Sequence, residues 1–257
     1  MLKFLLNHPL TRYCSLDDPR TTELRRRIIR EKVFLRRIYE EWYSFAASVL
    51  PSGDGEVLEV GSGAGFIKEI IPEAITSEVF PCSGVDKVLH AEVLPFQNEE
   101  LRAIVMIDVL HHVSQPRAFF REAIRCLRPG GVLAMVEPWV TPWSSLVYRN
   151  LHHEPFRPDA TEWEFPSEGP LTGANSALTW IIFERDRKEF ESEFPRLHIC
   201  SLQPVMPFLY LLSGGISFRS LMPGWSYDIW RNIEKGLRPC ISKIAMFTYI
   251  TIERTEA

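Results

Sequence analysis

The stretch Val57-Leu58-Glu59-Val60-Gly61-Ser62-Gly63-Ala64-Gly65 decides how the rest of the chain is read. Val57 to Val60 is apolar apart from Glu59, the pattern of a buried strand. Three glycines at alternate positions follow, and Phe66-Ile67-Lys68-Glu69-Ile70-Ile71 resumes with helical character. Glycine reaches backbone angles closed to other residues, and without a side chain it lets a ligand approach the main chain. The stretch predicts a strand, a tight turn and a helix, with a nucleotide-type cofactor cradled at the carboxyl end of the strand.

The details of the loop select among nucleotides. A dinucleotide fingerprint, Gly-x-Gly-x-x-Gly, puts its third glycine one residue later than Gly65, and a Walker loop needs a Gly-Lys-Ser/Thr ending that is absent. Glu59, two residues before the first glycine, sets a carboxylate beside the turn, which suits a ligand carrying positive charge. This run of residues resembles the first motif of the class I S-adenosylmethionine-dependent methyltransferases, an acid followed by Gly-x-Gly-x-Gly. The resemblance implies S-adenosylmethionine, with its sulfonium and ammonium groups, as cofactor. Glu59, Gly61, Ser62, Gly63 and Gly65 would then surround it.

Further motifs follow in the order this family uses. A second strand is expected over Ala74 to Phe80, and its terminal acid would hold the ribose. Glu78 is preferred for that role, with Asp86 in Gly84-Val85-Asp86 as the rival; Glu78 implies a stubby first helix. His90-Ala91-Glu92-Val93-Leu94-Pro95-Phe96 resembles the family's third-strand motif, usually Asp-Ala-x-x-Leu-Pro-Phe, with His90 in place of the aspartate. Adenine would be read there by the Ala91 amide, with or without His90. Leu101 to Asp108 reads as a fourth strand buried on both faces, ending at Asp108-Val109 beneath the methionine end of the cofactor. A helix from Pro116 to Leu127, then Arg128-Pro129-Gly130-Gly131 and a strand over Val132 to Glu137, complete the match. The resemblance, closest to the quinone-biosynthesis-like type 11 subfamily, implies an α/β fold. That fold is a Rossmann-like, doubly wound, seven-stranded, mostly parallel sheet with helical and loop insertions as lids.

Residues 1–50 form a helical cap in this reading, 51–138 the cofactor-binding core, 139–175 a lid insertion and 176–257 the completion of the sheet. In the cap, Asp18-Pro19 opens one amphipathic helix, or two joined by a kink, that ends at Pro51. Its face of Arg25, Arg26, Arg27, Arg30, Lys32, Arg36 and Arg37 is either a solvated surface or a contact for an anionic partner such as a membrane. The lid is rich in proline and aromatics, as binding loops of that length tend to be. Asn175 is expected to cap a helix to about Glu193, Leu197 to Leu202 a sixth strand and Ala245 to Ile252 the last. A second apolar excursion lies between those strands, at about 204–240.

Composition narrows the function. At 257 residues, with 46% hydrophobic and 24% charged residues, the chain is ordinary for a globular protein, and its net charge of −4 disfavours nucleic acid as a partner. Five scattered cysteines without a Cys-x-x-Cys pair read as reduced thiols in a cytoplasmic protein. The run Met1 to Leu6 is shorter than a signal-peptide core, and no stretch of about 18 apolar residues occurs. The expected acceptor is a small organic molecule, lipid- or quinone-like. A protein or peptide acceptor, or a non-catalytic cofactor-binding subunit, are the alternatives.

Methyl transfer from a sulfonium needs alignment above all, and a base only where the acceptor must lose a proton. His112, then His111, and His152 or His153 in the lid are the candidates. His152-His153-Glu154 invites a metal, yet neighbours in a regular element point apart, so no metal site is expected.

Overall fold

Leu101–Ile107 forms β4, the middle strand of a seven-stranded sheet. Its alternation explains that place. Ala103, Val105 and Ile107 pack on one side with Val57, Trp42 and Phe247, while Ile104 and Met106 pack on the other with Leu58, Phe119 and Phe120. A strand apolar on both faces is stable only where both are covered. The computed structural model describes residues 8, 10, 19–152, 154–166, 169 and 173–256.

The other strands are β1 (Glu56–Val60), β2 (Ile75–Glu78), β3 (Lys87–Val88), β5 (Leu127–Pro138), β6 (Leu197–Val205) and β7 (Phe247–Arg254), in the order β3-β2-β1-β4-β5-β7-β6. The pairings among β1 to β5 are parallel, and β7 runs antiparallel between β5 and β6. The chain winds outward from β1 through β2 to β3, then returns to place β4 on the other side of β1. The loops after β1 and β4 therefore part at a topological switch point, where open α/β sheets bind their ligands. The expected mostly parallel, doubly wound sheet is present.

Several boundaries differ from the sequence reading. The helix expected after the glycine loop is a single 3-10 turn, Ile67–Glu69, because Pro72 follows closely and β2 begins at Ile75. β5 starts five residues early: Leu127 pairs with Leu101, and Gly130, at φ +74°, carries an irregularity before Val132 pairs with Ala103. β2 is shorter than expected, while β6 continues to Val205 and β7 to Arg254. The helix expected to Glu193 is broken into α5 (Leu178–Trp180), a π turn (Ile181–Arg185) and α6 (Arg187–Glu193). That wider turn brings Ile181, Ile182 and Phe183 inward together. Asn175 accepts from the Ala177 and Arg157 amides, so it caps a local turn instead of a long helix.

The amino-terminal helix is two helices, α1 (Pro19–Glu31) and α2 (Val33–Val49), separated at Lys32; Asp18, its expected cap, lies outside the described residues. Lys32 leaves helical angles and donates its ammonium to the carbonyls of Gly215 and Phe218. Leu35, Ile38, Trp42 and Ala46 turn the apolar side of α2 onto the sheet. Much of the basic face is engaged within the chain: Arg36 with Glu40 and Glu69, Arg37 with Asp228, and Arg26 with the carbonyls of Gly63 and Ser83.

Beyond β4 come α3 (Pro116–Cys126) and, after β5, α4 (Pro142–Leu151), which opens on a reciprocal cap between Thr141 and Ser144. The β6–β7 excursion folds into α7 (Leu209–Ser213), α8 (Tyr227–Gly236) and α9 (Ile241–Ile244). Among the described residues, no helix is long and apolar enough to cross a membrane.

Candidate active site

The glycine loop is shaped by what it packs against. Gly61 and Gly63 adopt φ +67° and +46°, in the left-handed region. A Cβ on Gly61 would stand 2.8–2.9 Å from the methyls of Val109, and one on Gly65 would overlap the Tyr43 hydroxyl. The first glycine thus lets the β1 and β4 loops close on each other, and the third lets α2 press on the turn. Ser62 donates its hydroxyl to the Glu59 carbonyl and accepts from the Ser77 amide, tying the loop to β2.

Glu59 lies beneath this loop and is buried. Burial pushes its carboxyl up to about 7, against the hydrogen bonds from Ser62 and Tyr43. Its Oε2 has no hydrogen-bond partner among the described residues. A buried carboxylate oxygen without a partner, on a residue that lines the cavity, has the chemistry of a receptor for a cation. The sulfonium and ammonium of S-adenosylmethionine fit that chemistry.

The two candidate ribose acids part company in space. Glu78, at the end of β2, is buried, lines the same cavity, and accepts at Oε1 from the Val79 amide at 2.9 Å. Asp86 is turned to the outside of β2, where it pairs with Lys68 at 2.7 Å and accepts from the Thr76 amide and hydroxyl. His90 and Ala91 reach the cavity from the turn after β3, not from within the strand; Ala91 is buried and His90 exposed.

At the carboxyl end of β4, Asp108 is held at φ +63° while its amide bonds to the Val136 carbonyl. Burial pushes its carboxyl up to about 7, against the pull of His111. Val109, Leu110 and His111 all turn toward one acid that sequence reading missed. Glu137, at the end of β5, accepts the Val109 and Leu110 amides at Oε1 (2.8 and 2.7 Å) and His111 Nδ1 at Oε2 (2.8 Å). An acid closing the strand beside β4 was the available signal for it.

The histidines converge on a second acid, Glu154. Its Oε2 lies 3.3 Å from His111 Nε2 and 3.1 Å from His152 Nε2, and its Oε1 3.6 Å from His112 Nε2. His111 is buried with both ring nitrogens engaged, which removes it as a free base. Burial opposes its charged form, but the bonds to Glu137 and Glu154 outweigh this and hold its pKa well above the ordinary value. His112 bonds through Nδ1 to the Gly173 carbonyl at 3.1 Å, and burial together with charged His111 pushes it down to about 4. His153 lies outside the described residues.

Glu59, the glycine loop, Glu78, His90, Ala91, Asp108, Val109, His112, His152 and Glu154 line one cavity of about 520 Å³, from which Asp86, His111 and Glu137 are absent. Thr22 and Arg25 of α1, Tyr39 and Tyr43 of α2, and Tyr210, Ile216 and Ser217 of the β6–β7 excursion also line it. From sequence, Arg25 belongs only to the basic face and Tyr210 only to the apolar excursion between the last two strands, and the other five are not singled out, because nothing local marks a side chain that reaches the site from a distant element. A smaller, mainly apolar chamber of about 70 Å³ adjoins it, sharing His152, Tyr210, Ile216 and Ser217 and continuing past Tyr148, Leu211 and Met246.

Comparison with known proteins agrees with this geometry. The family described as "Methyltransferase domain" matches residues 29–169. Among solved structures, the geranyl diphosphate C-methyltransferase of Streptomyces coelicolor A3(2), crystallised with Mg2+, geranyl diphosphate and S-adenosyl-L-homocysteine, is similar in fold. The TM-score is 0.50 at 15% identity, over 98% of this chain and 90% of that one. A Thermotoga maritima protein described as a SAM-dependent methyltransferase and possible histamine N-methyltransferase also gives 0.50, at 16% identity over 91% and 99%. No curated protein matches the chain by sequence. With the family matched across more than half its length, the glycine cradle at the switch point and the open carboxylate beneath it, the chain belongs to the methyltransferase-domain family and is an S-adenosylmethionine-dependent methyltransferase.

Proposed function

We propose that this enzyme methylates a small, apolar or amphipathic organic molecule, of lipid- or quinone-like character. The observation carrying this reading is the apolar chamber between α4 and α7, which shares His152, Tyr210, Ile216 and Ser217 with the main cavity. An acceptor with an apolar tail in that chamber would present its head to the region between Asp108 and His112. A small apolar recess beside the cofactor cavity suits the tail of a compact molecule.

Bound S-adenosylmethionine supplies an activated methyl group, whose bond to sulfur breaks as the bond to the acceptor forms. In this reading the chain does the rest by placement. Glu59 and Asp108 offset the cofactor's positive charge, and the Gly61–Gly65 turn, with Ser62, receives its amino-acid end. Glu78 would hold the ribose hydroxyls, the Ala91 amide, flanked by His90, would read the adenine, and Val109 would line the methionine end. An acceptor hydroxyl or amine aimed at the methyl would lie against His112, Glu154 and His152, which favour its ionisation. Alignment supplies most of the acceleration.

The test is methyl transfer from labelled cofactor to two panels, one of small hydroxylated or aminated apolar molecules and one of peptides. Label in the organic-extractable product is the expected result. Label confined to peptides would overturn the small-acceptor reading while keeping the family.

A further inference from the structure

The cluster at the ends of β4 and β5 is organised more closely than proton removal alone requires. Three imidazoles from two separate segments aim the same atom, Nε2, at one carboxylate: His111 and His112 from the turn after β4, and His152 from the end of α4. The two adjacent histidines do not diverge, because they sit in a 3-10 turn (Leu110–His112) that leaves their rings 4.3 Å apart. The sequence expectation of no metal site was argued on His152-His153-Glu154 and did not bring His111 and His112 together with Glu154.

We propose that His111, His112 and Glu154 bind one divalent transition-metal ion of the zinc class, with an oxygen of the methyl acceptor as the fourth ligand and His152 holding the Glu154 carboxylate in place. One ligand atom from each of His111, His112 and Glu154 lies within 4.8 Å of the others. The Nε2-to-carboxylate separations are 3.3, 3.6 and 3.1 Å for His111, His112 and His152. A tetrahedral zinc site with bonds of about 2.0–2.1 Å has ligand-to-ligand edges of about 3.3 Å; the Nε2 atoms of His111 and His112 already stand at 3.3 and 3.6 Å from the Glu154 carboxylate, and the widest pair, within 4.8 Å, would draw together around the ion.

The opposite sides of two rings are fixed as metal-binding histidines usually are. His111 gives Nδ1 to the Glu137 carboxylate, and His112 gives Nδ1 to the Gly173 carbonyl. This leaves Nε2 of both rings facing Glu154, and binding of the ion would displace the proton that His111 carries there. Charge favours the same ligand. Asp108, Glu137 and Glu154 gather around His111 (Asp108 Oδ1 is 4.0 Å from its Nδ1), so a dication compensates a concentration of acid in a buried place. Imidazole nitrogens with one carboxylate oxygen select zinc, cobalt, nickel or ferrous iron over magnesium or calcium, which prefer oxygen alone.

The acceptor's part rests on the methyltransferase reading; binding of the ion does not. A hydroxyl bound to the ion would release its proton to solvent and keep its electron pair for the bond to the methyl carbon. The ion would stay divalent throughout.

The test uses the full chain, stripped of metal and titrated with Zn2+ by calorimetry and with Co2+ by visible absorption. S-adenosylmethionine is titrated into the same preparations. One ion per chain and the ligand-field bands of a tetrahedral Co2+ site are expected. His112→Gln and Glu154→Gln should each weaken binding at least about 100-fold, since even outer partners of a metal site are worth 10–100-fold. His198→Gln, on the exposed edge of β6, should bind like the wild type. Wild type without a stoichiometric ion or tetrahedral bands overturns the proposal whether or not the variants fold, as does equal affinity in wild type, His112→Gln and Glu154→Gln. Cofactor binding without metal binding would sink the metal site and leave the methyltransferase reading intact; metal binding without cofactor binding would do the reverse.

Discussion

Replacing Glu59 by Gln should make the free protein more stable and the cofactor weaker, and the two effects come from one buried charge. The folded carboxyl sits at about 7 against an ordinary 4.5, a difference worth roughly 3 kcal/mol at 1.36 kcal/mol per unit. The sign follows from linkage. With its folded pKa raised, Glu59 holds its proton longer in the folded chain, so its contribution is most favourable below about 4.5, erodes as pH rises towards about 7, and is constant above that. Gln carries no such dependence. The stability difference between Glu59→Gln and wild type should therefore shift in the variant's favour by roughly 2–3 kcal/mol between pH 5 and pH 8. In a chain of this size that is about 5 °C or more in Tm. The same substitution removes the open carboxylate oxygen, and losing a hydrogen bond to a charged group, about 1.5–3 kcal/mol, should weaken S-adenosylmethionine about 10- to 150-fold. Thermal melts at the two pH values, with and without cofactor, read both effects. A variant whose Tm difference from wild type is the same at pH 5 and pH 8, or which binds cofactor as tightly as wild type, would refute the reasoning.

Other outcomes follow from the same geometry. Gly61→Ala combines a left-handed backbone with a Cβ 2.8–2.9 Å from the Val109 methyls, and should cost about 1–3 kcal/mol of stability along with cofactor affinity; adding Val109→Ala should recover part of the loss in a double-mutant cycle. Leu211→Trp fills the apolar chamber without touching the cofactor cavity, so acceptor KM should rise at least tenfold while calorimetry shows unchanged cofactor affinity; unaltered KM would remove the chamber from acceptor binding. Wild-type affinity for S-adenosylmethionine should increase as pH rises through about 7, because ionised Glu59 is the form that attracts the cation; affinity that is flat or falls over that range contradicts this.

How much of this was legible beforehand varied with the range of the interactions involved. The strand–glycine-loop stretch, the doubly buried β4 and the strand after Gly130-Gly131 could be read because each is set by a few neighbouring residues. Glu78 could be singled out for the same reason: it closes a short buried strand shortly after the loop. Asp86 is as acidic and nearly as well spaced, and only its capture by Lys68 and Thr76 separates it from Glu78. Glu137 and Glu154 were missed as partners of His111 because they stand 26 and 43 positions away in sequence. The break at Lys32 depends on carbonyls near residue 215, on the far side of the chain. Helical periodicity also cannot show where Ile181 to Arg185 widens into a π turn, since the apolar run there satisfies either geometry.

The most direct test of the central claim is calorimetric titration of S-adenosylmethionine and S-adenosylhomocysteine into wild type, Glu78→Ala and Asp86→Ala. The account predicts one site per chain on the wild type, lost or weakened at least tenfold in Glu78→Ala and preserved in Asp86→Ala, whose carboxylate faces Lys68 and lies outside the cavity. No binding of either ligand to the folded wild type would contradict it.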